Sequence, residues 1–219
     1  FKEHDQTGAI INVGSTLSDR ALILQGMYSA SKHAVKAFTD GLRMEVEMDG
    51  MPISVTLIQP GAVATPYSQH AKNYMETEPT NTPQVNAPET VARTILHCAE
   101  SSERNVYVGG GGKGIAMLGY YAPRLADLLM ETLFANQQQT DRPPARPRGE
   151  NALDRPSDNL RERGDYQGHV SESSLYTTAS LHPMLTGAAL VGAGLALKTL
   201  WPSKRSAGPM QNVRRTPQR

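Results

Sequence analysis

The chain has 219 residues, a formal net charge of +1 and few aromatic residues, which make up 5% of the sequence. A length of this order is sufficient for a sizeable hydrophobic core. The nearly neutral charge gives no basis for a nucleic-acid-binding surface, so no nucleic-acid partner is expected. The single cysteine, Cys98, excludes an internal disulfide and is compatible with a reducing, cytoplasmic location.

The opening of the chain leads into a predicted strand. The first residue is Phe1 rather than methionine, and FKEHDQTG is typical of a helix end followed by a glycine-containing loop. We therefore expect the chain to be an N-terminally truncated piece of a longer protein. The apolar run Ala9–Val13 that follows predicts a strand buried on both faces of a parallel sheet.

A helix is predicted over residues 28–49, where apolar residues recur every four positions. Gly50 is a suitable terminator, because glycine readily adopts the left-handed conformation found after helices. The β-branched run Pro52–Ile58 predicts a second strand, which ends at a Pro-Gly turn. The apolar stripe of the helix consists of Ala30, Ala34, Phe38, Leu42 and Val46.

The chain continues with a second helix and a third strand. Asn86 is positioned to cap this helix, and Glu89, three residues later, would complete a capping box. The short run Asn105–Val108 predicts the third strand. Strands that alternate with helices indicate a parallel α/β sheet with right-handed crossovers. We therefore expect the C-terminal portion of a doubly wound parallel sheet.

Composition divides the chain into four regions. Residues 1–135 carry the predicted sheet and its helices. Residues 136–180 are rich in proline and arginine and lack periodicity, which predicts a disordered linker. Residues 181–203 contain an apolar helix, and residues 204–219 form a polar, basic tail.

The apolar run 184–201 leaves two alternatives open. It has 18 residues, against about 20 for a helix that spans a bilayer, and its small residues suit close helix contacts in lipid. Lys198 and the short length favour an interfacial or soluble helix instead. A basic tail would favour a cytoplasmic end for a span, yet the catalytic part is expected in the cytoplasm as well. The basic tail residues are Lys204, Arg205, Arg214 and Arg215.

Three polar residues point to proton-transfer chemistry. Ser15 follows the first strand, and Tyr28 and Lys32 stand four residues apart at the head of a helix, where they share one face. A free tyrosine has a pKa of about 10 and is a poor base at neutral pH, but a nearby ammonium favours its ionised form. Tyr28 could then exchange a proton with a substrate oxygen that Ser15 also binds. The alternative is that Tyr28 and Lys32 form an exposed helix pair without a catalytic role and that Ser15 is only a turn residue.

These residues belong to a set of motifs. Ser15 ends the segment Asn12–Ser15, Tyr28 and Lys32 belong to Tyr-Ser-Ala-Ser-Lys, and Pro60–Thr65 reads P-G-x-x-x-T. Together they resemble the short-chain dehydrogenase/reductase family over about residues 8–110. The resemblance implies a Rossmann-like fold, NAD or NADP as cofactor, and catalysis by a serine, a tyrosine and a lysine that also binds the nicotinamide ribose. The implied catalytic residues are Ser15, Tyr28 and Lys32. The implied cofactor-binding residues are Tyr28, Lys32, Pro60, Gly61, Val63 and Thr65.

Two features of the family are missing from this sequence. One is the Gly-rich turn after the first strand, which receives the pyrophosphate. The other is the upstream asparagine of the catalytic group. Both would precede Phe1, so the cofactor site is expected to be incomplete. The choice between NAD and NADP, which the family usually sets near the second strand, stays open.

A glycine run follows the third predicted strand. Gly109, Gly111 and Gly114 match G-x-G-x-x-G ahead of a helix predicted over Ile115–Ala135, with a break at Pro123. A dinucleotide fingerprint belongs inside a βαβ unit, and no strand is predicted after this helix, so a flexible turn is favoured. The six histidines show no metal-ligand spacing, and no metal site is expected.

The favoured function is NAD(P)(H)-dependent interconversion of an alcohol and a carbonyl in a small-molecule substrate. A non-catalytic, cofactor-binding or membrane-tethered scaffold is the first alternative, because an incomplete cofactor site would leave the catalytic group idle. Epimerase or dehydratase chemistry on the same fold is the second. By analogy with the family, subunits would pair through the helix that carries Tyr28 and Lys32, which gives a homo-oligomer. Residues that could line a substrate pocket are Leu22, Leu24, Met27, Tyr67 and Tyr74.

Overall fold

The computed structural model describes residues 1, 6–147, 149–156 and 160–200. The predicted basic tail, residues 204–219, lies outside these ranges, as do residues 2–5 of the opening segment. The chain divides into two units, residues 1–181 and residues 182–219.

Strands and helices alternate along most of the described chain. The strands are β1 (Gly8–Val13), β2 (Ile53–Pro60), β3 (Val85–Asn86), β4 (Asn105–Val108) and β5 (Val170–Ser171). The helices are α1 (Gly26–Met48), α2 (Tyr67–His70), α3 (Pro88–Glu100), α4 (Gly110–Tyr121), α5 (Pro123–Leu129), α6 (Ala135–Gln137), α7 (Leu175–Leu181) and α8 (Pro183–Leu200). The three predicted strands are confirmed, with ends shifted by no more than two residues.

The central sheet contains three parallel strands in the order β1, β2, β4. Val13 at the end of β1 lies opposite Ile58 of β2, and Pro60 at the end of β2 lies opposite Val108 of β4. The carboxyl ends of the three strands therefore meet at one edge of the sheet. Residues that follow these strands are brought close together there.

Helices α1 and α3 cover opposite faces of this sheet. Side chains alternate between the two faces along a strand. In β1, the Asn12 amide donates to the Thr39 hydroxyl of α1 at 2.9 Å, whereas Ile11 packs on the core together with Ile95 of α3. The α/β architecture with a parallel sheet and helices on both faces is thus confirmed.

The apolar core lies between the sheet and α3. Leu57 and Ile58 have no exposed surface, as expected for a central strand that is covered on both faces. Burial raises the pKa of the Cys98 thiol to about 11, so this cysteine is a neutral packing residue. The core residues are Ile58, Cys98, Val106 and Val108, surrounded by Ile11, Val91, Ile95 and Leu181.

The face of α1 that meets the sheet differs from the predicted stripe. A strict four-residue spacing drifts by about 40° per step around a helix of 3.6 residues per turn. Phe38 consequently points away from the sheet and is 64% exposed, whereas Val46, two steps later, is buried. Ala30 and Ala34 are exposed as well. The buried residues of α1 are Ser29, Thr39, Arg43 and Val46.

Two helix termini can be compared with the start and stop residues that the sequence predicts. Gly50 has a φ of 63°, which confirms it as the residue that ends α1. The predicted capping box of Asn86 and Glu89 is wrong, because Ala87 is the N-cap and α3 begins at Pro88 without a side-chain cap. Asn86 belongs to β3 instead, and its amide nitrogen donates to two backbone carbonyls at 3.3 and 3.4 Å.

The glycine run after β4 belongs to a helix rather than to a flexible turn. Gly109 has a φ of 90° and directly precedes α4, which begins at Gly110, ahead of the predicted start at Ile115. The predicted break at Pro123 is confirmed, since α5 starts at that residue. A π-helical turn, Met130–Phe134, follows α5.

Part of the predicted linker contacts the unit that contains the sheet. β5, from this segment, pairs in parallel with β3. Arg163 forms ion pairs with Glu89 of α3 at 2.9 Å and with Glu172 at 2.7 Å. Disorder over residues 136–180 is therefore not confirmed, and the assignment of this segment as a linker stays a prediction.

In the second unit, α8 carries the predicted apolar run as far as Leu200. Within the ranges that the structure describes, no single helix is both long and apolar enough to cross a membrane. The helices on either side of His182 reach that length and composition only in combination. Membrane association and a cytoplasmic location stay predictions.

Candidate active site

Ser15 lies just after β1, where the chain turns away from the carboxyl edge of the sheet. The N–H of the preceding Gly14 donates to the Ile58 carbonyl at 2.8 Å. A Cβ at Gly14 would lie 2.9 Å from the Ser18 Oγ, so this close approach requires glycine. Ser15 then caps a single 3-10 turn, Thr16–Ser18.

The turn orients the Ser15 hydroxyl. Its Oγ accepts a hydrogen bond from the Leu17 N–H at 3.1 Å, and the Ser15 N–H donates to the Ser18 Oγ at 3.1 Å. These bonds form a capping box within one turn. Because the Oγ acts as an acceptor inside the turn, its hydrogen is left for a partner outside it.

Tyr28, in the first turn of α1, meets the side chain of Ser15. Burial raises the pKa of the Tyr28 phenol above its ordinary value, and a hydrogen bond with the Ser15 side chain partly opposes this shift. The phenol is therefore protonated at neutral pH. The ionised form that the sequence favours through the nearby ammonium is not the dominant one in this structure.

Lys32 lies one helical turn after Tyr28. Its Nζ donates to the backbone oxygen of Val13 at 3.0 Å and stands 5.7 Å from the centroid of the Tyr28 ring. Partial burial lowers the pKa of the Lys32 amine. Burial is the largest cause of the Tyr28 pKa shift and sets its upward direction, while the Lys32 ammonium donates to the end of β1.

The segment Pro60–Thr65 leaves the end of β2 beside the end of β1. Its Gly61 N–H donates to the Val108 carbonyl at 3.0 Å, and its Val63 pairs with Asn86 in an isolated parallel bridge. The segment is thus fixed on both sides, between β4 and β3. It forms the wall of a cleft that faces the Ser15 turn.

This cleft has a volume of about 460 Å³. It brings together all of the residues that the sequence predicts for the site, namely Ser15, Tyr28, Lys32, Pro60, Gly61, Val63 and Thr65. Much of the remaining wall is apolar and includes Val13, Leu17, Leu22, Val91 and Ile95. Groups able to exchange protons therefore line the same cleft as these apolar side chains.

The predicted pocket residues are divided between the cleft and the surface. Leu22 and Tyr67 bound the cleft. Leu24, Met27 and Tyr74 are mostly exposed. Further wall residues come from the loop before β3, where the sequence offers no periodicity or motif to mark them, and they are Thr80, Asn81 and Thr82.

A polar network that no sequence motif predicts lies behind the Ser15 turn. The Asp19 carboxylate accepts hydrogen bonds from the Gln59 Nε2 and the Tyr107 hydroxyl, each at 2.5 Å, and pairs with the Lys36 Nζ at 2.8 Å. Burial alone would raise the pKa of Asp19, but these three hydrogen bonds outweigh it and hold that pKa below its ordinary value. A buried amide such as Gln59 requires a partner, and this requirement is the signal that could have indicated the network.

The loop that leads from the serine turn into α1 is held by residues much later in the chain. Arg20 forms an ion pair with Asp127 of α5. The Gln138 Nε2 donates to the Ile23 carbonyl at 2.9 Å, and the Gln25 Nε2 donates to the Gln138 Oε1 at 2.7 Å. Gln138 lies inside the predicted linker, and it is buried.

The glycine run is engaged in packing. The Gly109 N–H donates to the Thr177 hydroxyl at 3.0 Å. A Cβ at Gly112 would overlap with the Thr16 side chain, next to Ser15. These contacts support the structural interpretation of the run over a dinucleotide fingerprint. Over the described part of the chain, no cluster of three or more His, Cys, Asp or Glu side chains could hold a metal ion.

Comparison with known proteins finds a matching family and related oxidoreductases. The family described as short chain dehydrogenase matches residues 1–76, which contain every predicted site residue. The oxidoreductase YxnA of Bacillus subtilis (strain 168), described as uncharacterized, is 40% identical over 186 residues, which cover 84% of this chain and 52% of YxnA. The part of the chain that these matches cover is similar to the short-chain dehydrogenase/reductase family.

Other family members show more distant similarity. Dehydrogenase/reductase SDR family member 7B of Xenopus tropicalis is 30% identical over 143 residues, which cover 63% of this chain and 44% of the relative. A solved structure of a short chain dehydrogenase from Burkholderia cenocepacia J2315 in complex with NADP is 28% identical, with a TM-score of 0.44, and covers 58% of this chain and 48% of that one. The chain spans about half the length of the curated relatives that it matches.

Proposed function

We propose that the protein is an NAD(P)(H)-dependent oxidoreductase that interconverts an alcohol and a carbonyl in a small-molecule substrate. The observation that carries the proposal is the meeting of the Ser15 and Tyr28 side chains in one cleft, with Lys32 one helical turn away. Similarity to the short-chain dehydrogenase/reductase family supports the reaction class.

Tyr28 is the proton donor and acceptor of this reaction. Its raised pKa keeps the phenol protonated at neutral pH, which suits donation of the proton to a carbonyl oxygen during reduction. In the opposite direction, the phenolate accepts the proton of the alcohol. That direction requires ionisation of a buried phenol, which a positive charge in the cleft makes less costly.

Ser15 binds the same substrate oxygen. Its hydroxyl hydrogen is not used within the turn, so it can donate to the oxygen on which negative charge develops during reduction. The apolar side chains of Val13, Leu17 and Leu22 line the cleft nearby. Because they exclude water and lower the local dielectric constant, they strengthen this hydrogen bond.

Lys32 serves both the phenol and the cofactor. Its ammonium has three donor hydrogens, of which the bond to the Val13 carbonyl uses one, so it can also bind ribose hydroxyls. Its positive charge favours the ionised form of Tyr28 relative to a variant that lacks it. The lowered pKa of the Lys32 amine reflects the cost of holding this charge in a partly buried cleft.

The cleft fits the nicotinamide end of NAD or NADP. Its lining contains apolar side chains, as suits a flat heteroaromatic ring, and polar groups that include Tyr28 and Lys32. Pro60, Gly61, Val63 and Thr65 form the wall that would hold the ring. The bound nicotinamide supplies or accepts the hydride.

A homo-oligomer that pairs through α1 is part of the same proposal. The side of α1 opposite the sheet is exposed and mostly apolar, with Glu45 as a charged residue on it, and a second copy of the helix would bury the apolar part. Its small residues allow the backbones of two helices to approach closely. The residues of this outer face are Met27, Ala30, Ala34, Phe38, Met44 and Met48.

Activity and binding measurements on the full-length protein test the proposed reaction. Secondary alcohols and the matching ketones are offered with NAD and NADP, and the absorbance of the reduced nicotinamide is followed. Tyr28→Phe should lower turnover by about 10² to 10⁴. Tyr120→Phe, which removes the hydroxyl of a ring that is 81% exposed, is the matched control and should behave as the wild type.

Three results would contradict the proposal in different ways. Unchanged turnover in Tyr28→Phe would exclude this residue as the proton donor. Failure of the wild type to bind either nucleotide in a fluorescence titration would favour the non-catalytic scaffold. Conversion of a substrate without net change in the nicotinamide would favour epimerase or dehydratase chemistry.

A further inference from the structure

A single carboxylate joins the turn that carries Ser15 to the sheet. Asp19 is the C-cap of this turn, and its side chain is 14% exposed. Its three partners belong to three different elements, Gln59 to β2, Tyr107 to β4 and Lys36 to α1. Because these elements form the layers of the core, Asp19 fixes the end of the turn relative to both the sheet and α1.

Gln59 extends the connection to Ser15 itself. Its Nε2 donates to the Asp19 Oδ2 at 2.5 Å and also contacts the Ser15 carbonyl oxygen at 3.4 Å. The residue is 1% exposed, so a lost partner would leave a buried amide unsatisfied. The first and last residues of the turn are therefore both tied to the same residue of β2.

Gly112 provides a second contact to the turn. A Cβ at this position would overlap with the side chain of Thr16, so the first turn of α4 packs directly against the residue that follows Ser15. Tyr107 lies on β4, shortly before this helix. The end of β4 and the start of α4 thus support the turn at two points.

These contacts determine where the Ser15 hydroxyl lies. Bonds inside the turn set the hydroxyl relative to the turn, and the Asp19 network sets the turn relative to α1, which carries Tyr28. We propose that Asp19 is a positioning residue that acts with Gln59 and Tyr107 to hold the Ser15 hydroxyl toward Tyr28 and the substrate oxygen. This inference rests on the proposed function of Ser15 and adds to it a residue outside the cleft.

A double-mutant cycle tests the positioning role. Asp19→Asn keeps the shape of the side chain but removes its charge, and it should lower kcat by about 10- to 100-fold, because small displacements of a catalytic group cost that much. The Kd for the nucleotide should not change. In a Ser15→Ala background the same substitution should have little further effect, because it acts through Ser15. Asp40→Asn, which removes a carboxylate paired with Arg43 at 2.7 Å, is the control and should leave kcat unchanged.

Hydrogen exchange provides a readout that does not depend on turnover. In Asp19→Asn, the amides of Leu17 and Ser18, which donate to Ser15, should exchange faster while the strands keep their protection. Tyr107→Phe should give the same pattern in weaker form, and it replaces Asp19→Asn if that variant does not fold.

The outcomes separate this inference from the proposed function. Unchanged exchange at Leu17 and Ser18, or an equal loss of kcat with and without the Ser15 hydroxyl, would overturn the positioning role. If the wild type turns over no alcohol in the panel, the proposed function fails. The exchange measurement then still decides whether Asp19 holds the turn.

Discussion

The rings of Tyr28 and Tyr67 lie 5.4 Å apart, centroid to centroid, with an angle of 52° between their planes. Tyr67 begins α2, soon after the segment Pro60–Thr65, so the pair joins the two sides of the cleft. Burial raises the pKa of Tyr67, and the neighbouring Tyr28 phenol adds to the shift. Tyr67 is therefore neutral and forms an aromatic wall of the cleft beside Tyr28, the proposed proton donor.

Removal of this wall should weaken substrate binding. Burying about 40 Å² of apolar substrate surface against this ring would be worth about 1 kcal/mol, which corresponds to a factor of about 5. Tyr67→Ala should therefore raise KM by at least about 5-fold, whereas Tyr67→Phe, which keeps the ring, should remain close to the wild type. Steady-state kinetics with the two variants check this expectation. A larger loss in Tyr67→Phe would instead indicate that the hydroxyl takes part in the reaction.

The ionisation of Tyr28 can be observed directly in the nucleotide-free protein. Because burial disfavours the phenolate, Tyr28 should titrate above the ordinary tyrosine value of about 10. The ultraviolet difference titration of wild type against Tyr28→Phe isolates this phenol. Ser15→Ala removes the hydrogen bond that opposes the shift and should move the titration further upward. A midpoint below the ordinary value would contradict an upward shift of the Tyr28 pKa.

Because of the Asp19 network, the free energy of unfolding should depend on pH in the acid range. A carboxyl whose pKa is lowered by folding stabilises the protein above its ordinary pKa of about 3.9, and this contribution is lost as the pH falls through the lowered value. At neutral pH, Asp19→Asn should reduce the free energy of unfolding by about 2 kcal/mol, since hydrogen bonds to a charged group are lost. Urea unfolding at several pH values should show this difference shrinking in acid. A difference that stays constant would exclude Asp19 as its source.

Gly112→Ala should disturb the Ser15 turn. The new Cβ overlaps with Thr16, and overpacking of this kind costs about 2 kcal/mol. Gly114→Ala is the matched control, because a Cβ there has no neighbour within 4 Å, and alanine in place of a helical glycine should be neutral or stabilising. Thermal unfolding of the two variants checks the contrast. Equal stability of the Gly112 and Gly114 variants would show that the start of α4 and the Ser15 turn can move apart at no cost in free energy.

A charge on the outer face of α1 should disrupt the proposed oligomer. Phe38→Lys places an ammonium at the centre of the apolar face, where pairing of two helices would bury it. Sedimentation analysis should show a smaller species than the wild type. Glu47→Lys, which lies outside the apolar face, is the control. The same species for wild type and Phe38→Lys would place the interface elsewhere.

The order of the main elements could be predicted from the sequence. Buried strands of a parallel sheet appear as continuous apolar or β-branched runs, so β1 and β2 are recognisable without their partners. The residues of the cleft were also predictable, because Ser15, Tyr28 and Lys32 stand in motifs with fixed spacing. Pro60–Thr65 was expected at the same site because it resembles the family's P-G-x-x-x-T segment.

Other features depended on contacts that the sequence does not specify locally. The direction of the Tyr28 pKa shift follows from how deeply the phenol is buried, and no spacing reveals this. Asn86 matched a capping pattern, but it belongs to β3 and pairs with Ser171 of β5 instead. Asp19 and Tyr107 are 88 positions apart, and nothing near either residue indicates the other.

The bonds that hold the loop after the Ser15 turn also bear on how the protein acquires its activity. Arg20 and Asp127 are separated by 107 positions, and Gln25 and Gln138 by 113. Contacts of such long range form slowly, because a large loop must close before they are made. A nascent chain that has emerged only as far as α3 already contains Ser15, Tyr28 and Lys32, but it lacks the partners that hold this loop. The proposed site should therefore be completed late in synthesis, well after its proposed catalytic residues have been joined.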